Sequence, residues 1–336
     1  ITMAVPNNTV QTYTRVGIRE DLADVIYNIA PTETPFMSNA GTGSASQTNH
    51  EWQTDGLANA GANKQIEGDD AANLATVATT RLGNFEQIST KVIGVSGTDQ
   101  AVTNAGRGDE LAYQMAKAGK ELKRDMEFTL VGQDSFKSAG AAGTARELGT
   151  LSTWYGGNIA GTATAADNYS AAANTTYANA AGAVGAGLNG DGLVKKNANG
   201  TTRAFTEDLL KAGLKKTFEL GGSPDVVMMT ASHKQTASGF NGIATNTNNI
   251  ADKRVIGAVD VYVSDFGEVT FVPNRHQQEN RVDILEMDKW ELSYLRPFET
   301  KELSKTGDSD KRMMVTEYTL TARSPNANFG IFALTA

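Results

Sequence analysis

The chain has 336 residues, no cysteine and a formal net charge of −8 at pH 7. The absence of cysteine excludes disulfides, thiolate nucleophiles and thiolate metal sites, and the scattered Lys and Arg residues form no basic cluster of the kind that binds nucleic acid. No apolar run approaches the roughly 20 residues that a membrane helix requires, so the sequence predicts a soluble protein.

The first predicted element is a short amphipathic helix at residues 17–29, where apolar side chains recur at helical spacing. In the next segment, Pro31 and Pro35 bias the residues before them towards extended conformations. We therefore expect residues 30–36 to run straight and to present Phe36 at their end. An arm of this kind is expected to lie on a neighbouring surface.

Residues 41–95 are polar and rich in glycine, with strand-like stretches at 47–53 and 81–95 around a loop at 64–70. Too few apolar residues are present to bury both faces of these strands, which favours a long two-stranded ribbon. An isolated ribbon is marginally stable in water. We expect it to be completed by an adjacent subunit.

The strongest helical pattern covers residues 109–131, and it corresponds to a helix about 35 Å long. A charged face opposes an apolar stripe, which is typical of a helix packed on a domain. An ordinary long surface helix is the alternative interpretation. The stripe consists of Leu111, Met115, Ala118, Leu122 and Met126.

Residues 138–200 are rich in Ala, Gly, Asn and Thr and nearly free of large aliphatic side chains. This composition predicts an exposed, partly β-structured insertion, anchored by Trp154 and Tyr155. Residues 185–190 match the dinucleotide-binding fingerprint. No predicted strand precedes them and no helix follows, so we attribute the match to composition.

Regular structure is predicted again from residue 205 onwards. A helix at 205–218 is ended by glycines and Pro224, and its stripe consists of Phe205, Leu209, Leu210, Leu214 and Phe218. A turn at Asp265, Phe266 and Gly267 joins two strands. The predicted strands cover 226–230, 259–263, 269–273, 282–285, 292–295 and 313–322. The predicted class is α+β.

Several segments carry a resemblance in a fixed order. Residues 21–36 read DLADVIYNIAPTETPF, and GSPD (222–225), VYVSDFG (261–267), PNR (273–275), YLRP (294–297) and KTGDS (305–309) follow. This set resembles phage major head proteins of the domain-of-unknown-function type, which have the Hong Kong 97 capsid fold. The implied α+β fold has an N-arm, an extended E-loop, a long spine helix, a peripheral domain and an axial domain.

The resemblance also implies a division of the chain. The N-arm would cover 1–40, the E-loop 41–95, the peripheral domain with the spine helix 96–137, the exposed insertion 138–200, the axial domain 201–265, and the returning strands of the peripheral domain 266–336.

By the same resemblance, the protein is expected to be no enzyme but a major capsid protein, assembled in the host bacterial cytoplasm and found in the virion. Pentamers and hexamers of the chain would form an icosahedral head around double-stranded DNA, which is bound without sequence specificity. A portal protein and scaffolding and decoration proteins are the further implied partners; no cofactor and no membrane is implied.

Aromatic side chains dominate interface energetics, so some of those in the arm and ribbon are candidate contacts between subunits. Packing inside the same subunit is the alternative for each. The candidates are Tyr27, Phe36, Trp52 and Phe85.

No catalytic or metal site is predicted. The histidines lack the spacing of metal ligands, and the acidic pairs are interpreted as solvated turn residues. These residues are His50, His233, His276, Asp69, Asp70, Asp308 and Asp310.

Some capsids of this fold join an E-loop lysine to a neighbour's asparagine. Such a bond also needs a buried carboxylate to deprotonate the lysine, which the sequence does not place, and we expect no cross-link. The candidates would be Lys64 or Lys91 with Asn326 or Asn328.

Two other classes of function are compatible with the pattern. An encapsulin-like compartment would share the fold and differ in its contents. An exported surface-layer or adhesin protein is suggested only by the stretch rich in Asn, Thr and Ala.

Overall fold

A computed structural model describes most of the chain. The described residues are 33–57, 60–68, 70, 78–102, 108–155, 203–240, 260–305, 307–332 and 334–335, together with two short paired strands, β5 (Ala178–Asn179) and β6 (Val194–Lys195). The helix predicted at 17–29, the fingerprint at 185–190 and most of the predicted insertion lie outside this part of the chain.

The other helices and strands of the described residues occur as runs of strands separated by helices. The helices are α1 (Pro35–Asn39), α2 (Gly97–Ala101), α3 (Glu110–Glu127), α4 (Glu207–Glu219) and α5 (Ala231–Ser238). The strands are β1 (Gly41–Ser44), β2 (Asn49–Thr54), β3 (Thr80–Phe85), β4 (Gln87–Ser96), β7 (Val226–Met229), β8 (Val261–Ser264), β9 (Gly267–Pro273), β10 (Val282–Leu285), β11 (Trp290–Glu302), β12 (Ser309–Ala322) and β13 (Phe329–Ile331).

The first sheet has the order β1-β11-β12-β4, with β1 parallel to β11 and the other pairs antiparallel. Helix α3 packs on β4, and Asp109 caps its N-terminus by accepting from the Ala112 N–H. Of the predicted stripe, Met115 is half-buried and the other members are buried. After Glu127 the helix continues as a π-helical turn, Phe128–Gly132.

The second sheet has the order β13-β10-β7-β9-β8 and carries α4 and α5. All four residues of β7 are buried, because successive side chains point to opposite faces of a strand and both faces are covered. Val226 and Met228 belong to the core shared with the first sheet, whereas Val227 and Met229 belong to a core beneath α4. A strand buried on both faces explains the continuous apolar run in this sequence.

The predicted ribbon is corrected in length. Only β2 and β3 form it, whereas β4 leaves the ribbon and pairs with β12 along its whole length. The residues of β4 alternate between a covered face and an exposed face. A strand with one exposed face is stable when it is part of a larger sheet that is covered on its other face. The strand β4 is therefore part of the first sheet and not of the ribbon.

The prediction that residues 30–36 run straight is wrong at their described end, residues 33–36. Pro35 begins α1, since the first position of a helix needs no N–H donor and proline's fixed φ suits it. The predicted insertion is not exposed at its start, where Leu148 and Leu151 are completely buried. Trp154 and Tyr155, its predicted anchors, are completely buried as well, which confirms that part of the prediction. Aromatic and leucine side chains drive that burial despite the surrounding polar composition.

Two details of the C-terminal half need correction. The division at residue 265 falls inside the hairpin of β8 and β9, and β9, β10 and β13 share the sheet of β7. Two hydrogen-bonded strands belong to one sheet, so no domain boundary lies between them.

Phe218, predicted to be in the buried stripe of α4, is 57% exposed, and its ring centroid lies 5.1 Å from that of Phe266.

Candidate functional site

The ribbon of β2 and β3 is attached firmly at its base. The ring of Trp52 lies 5.3 Å from the buried ring of Trp154. The ammonium of Lys137 lies 5.3 Å from the Trp154 ring and donates to the Gly83 carbonyl at 2.6 Å. Each such ring contact stabilises by on the order of 1 kcal/mol, so together they hold the base in one orientation.

Asn84 connects the same base to two parts of the body. Its buried amide donates to the carbonyls of Leu320 at 2.8 Å and Gly149 at 3.2 Å. Its Oδ1 accepts from the N–H groups of Gly149 at 2.8 Å and Phe85 at 3.0 Å. A buried amide is costly unless it is fully bonded, so this set fixes β3 relative to β12 and the loop at residue 149.

The outer part of the ribbon has no such support. Every described residue between 55 and 68 is exposed. Leu57 is fully exposed, and Ile66 is 78% exposed. Leaving such a side chain in water forgoes roughly 1.5–3 kcal/mol compared with burying it. Residues 55–57 and 60–68, the ribbon tip, are therefore a candidate contact surface.

A second exposed apolar surface lies on β4. Lys91 points to α3 and forms an ion pair with Asp125 at 2.6 Å, so the alternate residues Ile88 and Val92 face away from α3. Their side chains are 48% and 58% exposed. We call this surface the outer sheet face. The paired residues Met313 and Lys301 share this face, and Lys301 forms an ion pair there with Glu299 at 3.5 Å, so the face is apolar with a compensated charge pair beside it.

A third surface is formed by the edge hairpin of β8 and β9. Val261 and Val263 of the edge strand are exposed, as are Phe266 in the turn and Phe218 of α4. Since β8 has only four residues, the edge offers little unpaired backbone for extending the sheet. Its apolar side chains are the more important feature for a contact.

The start of α1 is held by a buried carboxylate. Glu127 accepts from the backbone N–H of Phe36 at 2.8 Å, the N–H of Met37 at 3.0 Å and the amide of Asn274 at 2.7 Å. Burial raises the pKa of Glu127 above its usual range, although these donors oppose the shift. The contact ties the N-terminal segment to the end of α3 and to the second sheet.

Glu127→Gln is expected to loosen this attachment and to destabilise the subunit by about 1–3 kcal/mol. The new side-chain amide would place its own donor against the N–H of Phe36 or Met37. Limited proteolysis should then cut the chain before residue 40 faster than in the wild type. Glu121→Gln, on the partly exposed side of α3, is the control, and equal cleavage rates in the two variants would contradict the role of Glu127.

The four residues predicted to contact other subunits have different positions. Tyr27 lies outside the described residues. Phe36 is completely buried in its own subunit, with its ring 6.1 Å from Trp290, which favours the alternative of packing inside the subunit. Trp52 and Phe85 are half-buried at the ribbon base. The exposed residues Leu57, Ile66, Ile88 and Val92 were missed, since isolated aliphatic residues in a polar sequence give no periodic signal.

The described residues contain no group of three His, Asp or Glu side chains that could bind a metal ion. His233 is buried, and its Nε2 lies 2.7 Å from the Glu279 carbonyl. None of the described helices is long and apolar enough to cross a membrane.

Of the cross-link candidates, Asn328 is buried and accepts from the Trp290 Nε1–H at 2.8 Å, so it is inaccessible within the subunit. Lys64 and Asn326 are exposed, and Lys91 is held by Asp125.

Comparison with known proteins gives a consistent result. The SU10 major capsid protein family matches residues 5–335. The major capsid protein of Escherichia phage Phieco32 is 29% identical over 350 residues, covering 95% of each chain. The chain is also similar to the capsid asymmetric unit of Cyanophage A-1(L), with a TM-score of 0.63, 14% identity and coverage of 95% of this chain and 98% of that chain. For the mature capsid of bacteriophage PhiM1, the TM-score is 0.59 at 11% identity, with coverage of 98% and 97%.

Proposed function

Since this chain belongs to the SU10 major capsid protein family, we propose that the ribbon tip and the outer sheet face join its copies into the icosahedral head of a phage. It is a major capsid protein of the phage virion with the α+β Hong Kong 97 fold. Its copies form a homo-oligomeric shell. The encapsulin-like and exported surface-protein alternatives are not favoured.

The proposed contact places the ribbon tip of one subunit on the outer sheet face of the next. Leu57 and Ile66 would cover Ile88 and Val92, each of which is exposed in the single subunit. The two surfaces are different, so the contact is head-to-tail, and repeated contacts of this kind close into rings. Rings of five and six subunits are the expected capsomers.

Charge does not select this arrangement. The ribbon tip carries Asp55 and Glu67 together with Lys64, and on the outer sheet face Lys301 is already paired with Glu299 at 3.5 Å. The exposed apolar side chains are therefore the part of the contact that drives association. The observation that carries the proposal is the complete exposure of the ribbon tip above a firmly attached base.

The double substitution Leu57→Asp and Ile66→Asp tests this contact. Each substitution removes an apolar side chain whose burial is worth roughly 1.5–3 kcal/mol, and tenfold in concentration corresponds to about 1.4 kcal/mol. We expect a folded subunit that needs at least about tenfold higher concentration to form shells. Sedimentation and negative-stain electron microscopy measure this concentration.

Asn63→Asp with Gln65→Asp is the matched control, because it adds the same charge to the same exposed segment without removing apolar area. We expect the control to assemble nearly as the wild type does. Shells formed by the variant at positions 57 and 66 at the wild-type concentration would show that the ribbon tip contributes nothing to assembly.

The proposed division of the chain follows the sheets. The N-arm ends near residue 40, and the E-loop comprises the ribbon and its tip, up to residue 85. The first sheet with α3 forms the peripheral domain. The second sheet with α4 and α5 forms the axial domain, which therefore includes β9, β10 and β13.

The further partners follow from the family. We expect a portal protein, scaffolding and decoration proteins, and double-stranded DNA enclosed after assembly in the host bacterial cytoplasm. A net charge of −8 is consistent with DNA held without attraction to a specific sequence. We assign the protein a structural role and no catalysis.

A further inference from the structure

Glu86 occupies the junction between the ribbon and the body. It is the single residue between the end of β3 and the start of β4, and its N–H donates to the Thr48 carbonyl at 2.9 Å. The side chain is completely buried. Within the part of the chain that the structure describes, neither carboxylate oxygen has a hydrogen-bond partner. An ionised carboxylate in such a position is strongly disfavoured.

The charged groups around Glu86 do not stabilise its ionised form. Glu317 of β12 accepts from Arg146 at 2.6 Å and from Arg296 of β11 at 2.8 Å, so both guanidinium groups are engaged by that one carboxylate. Burial, followed by the charge of Glu317, raises the pKa of Glu86 to about 8, and Arg146 only partly opposes the shift. The carboxyl group of Glu86 is therefore neutral in the docked ribbon below that pH.

We propose that Glu86 is a proton-dependent latch, in which the ribbon base stays docked while this carboxyl is neutral and loosens when it ionises. Ionisation would put a second negative charge beside Glu317 in a buried site without donors. The charge is relieved if β2 and β3 lift from the body and water reaches the carboxylate. The latch acts at the ribbon base within one subunit, so it does not depend on where the ribbon tip binds.

The direction of the pH effect follows from the number of bound protons. Glu86 has a reference pKa of 4.5 when solvated and about 8 when docked. Between these values the docked ribbon holds one proton more than the lifted ribbon. Docking is thus strongest below about pH 4.5, weakens as the pH rises, and levels off above about pH 8.

Hydrogen exchange of the full-length chain, both as subunits and as assembled shells, tests the latch. The readout is the protection of amides in β2 and β3, compared between wild type and Glu86→Gln at each pH from about 5 to 9, so that intrinsic exchange cancels. The side chain of this variant cannot ionise, so relative protection of the wild type should fall by up to about tenfold per pH unit through this window. Amides of α4 should not change between the two proteins.

Two further variants separate the latch from a general loss of packing. Glu147→Gln neutralises an exposed carboxylate close in sequence to Arg146 and should behave as the wild type. Glu317→Gln removes the like charge and releases both arginines, which lowers the pKa of the docked Glu86, so the pH at which the loss of protection levels off should fall. An unchanged or higher pH in this variant would contradict Glu86 as the source. If protection in wild type and Glu86→Gln differed by the same factor at every pH, or did not differ at all, the proposal would be overturned.

Discussion

Arg281→Met is expected to lower the free energy of unfolding by about 3–5 kcal/mol, since breaking a buried ion pair leaves an uncompensated charge. Arg281 is completely buried, and its guanidinium contacts Asp134 at 2.7 Å and Asp283 at 2.9 Å. Although burial lowers the pKa of Arg281, the two carboxylates raise it above its ordinary value. The network joins the segment after α3 to β10, so its loss should also weaken the union of the two sheets.

The double variant Arg281→Met with Asp283→Asn is the control for this prediction. It removes the buried charge of Asp283 together with the cation. We expect it to recover part of the loss. Denaturant unfolding of the wild type, the double variant and the single variants Arg281→Met and Asp283→Asn gives the coupling between the two residues. Unfolding of the single variant within about 1 kcal/mol of the wild type would contradict the prediction.

Trp290→Ala should have a comparable effect, with a loss of about 3–5 kcal/mol from the cavity that it creates. Trp290 is buried where three parts of the chain meet. Its ring lies 6.1 Å from Phe36 of α1 and 6.4 Å from Tyr155, in edge-on arrangements. Its Nε1 donates to Asn328 near the C-terminus at 2.8 Å.

Phe218→Ala is the matched control for the removal of an aromatic ring. Because Phe218 is 57% exposed, its loss should change stability by less than about 1 kcal/mol. Thermal unfolding of the subunits measures both variants. A small effect of Trp290→Ala would mean that the core can close around the missing ring.

The elements with a strong local pattern were predicted well. The apolar stripe of α3, the buried run of β7 and the alternation that leads to the hairpin of β8 and β9 all correspond to observed elements. In each case the pattern of apolar residues within the segment itself indicates the element: helical spacing for α3, a short continuous run for β7, and alternation for β8. The Hong Kong 97 fold, recognised from ordered segments, is confirmed by the family and the similar capsid structures.

Exposure could not be read from the sequence, because it depends on what packs from elsewhere in the chain. Phe36 ends a segment that reads as an arm, yet Glu127 and Trp290 hold it in the core. Ile88 and Val92 alternate with covered residues of the same strand, and only α3 decides which face is covered. Glu86 gave no signal at all, since a single glutamate in a polar stretch looks solvated.

By itself, the amino-acid sequence determined the class of the protein, most of its regular elements and its family, because these depend on local periodicity and on segments read in order. Only the tertiary structure decided which residues are available to other subunits and which carboxylates are buried. Burial is produced by contacts between residues far apart in the chain, such as Glu127 with Phe36 and Glu86 with Glu317. No pattern within either segment records those contacts.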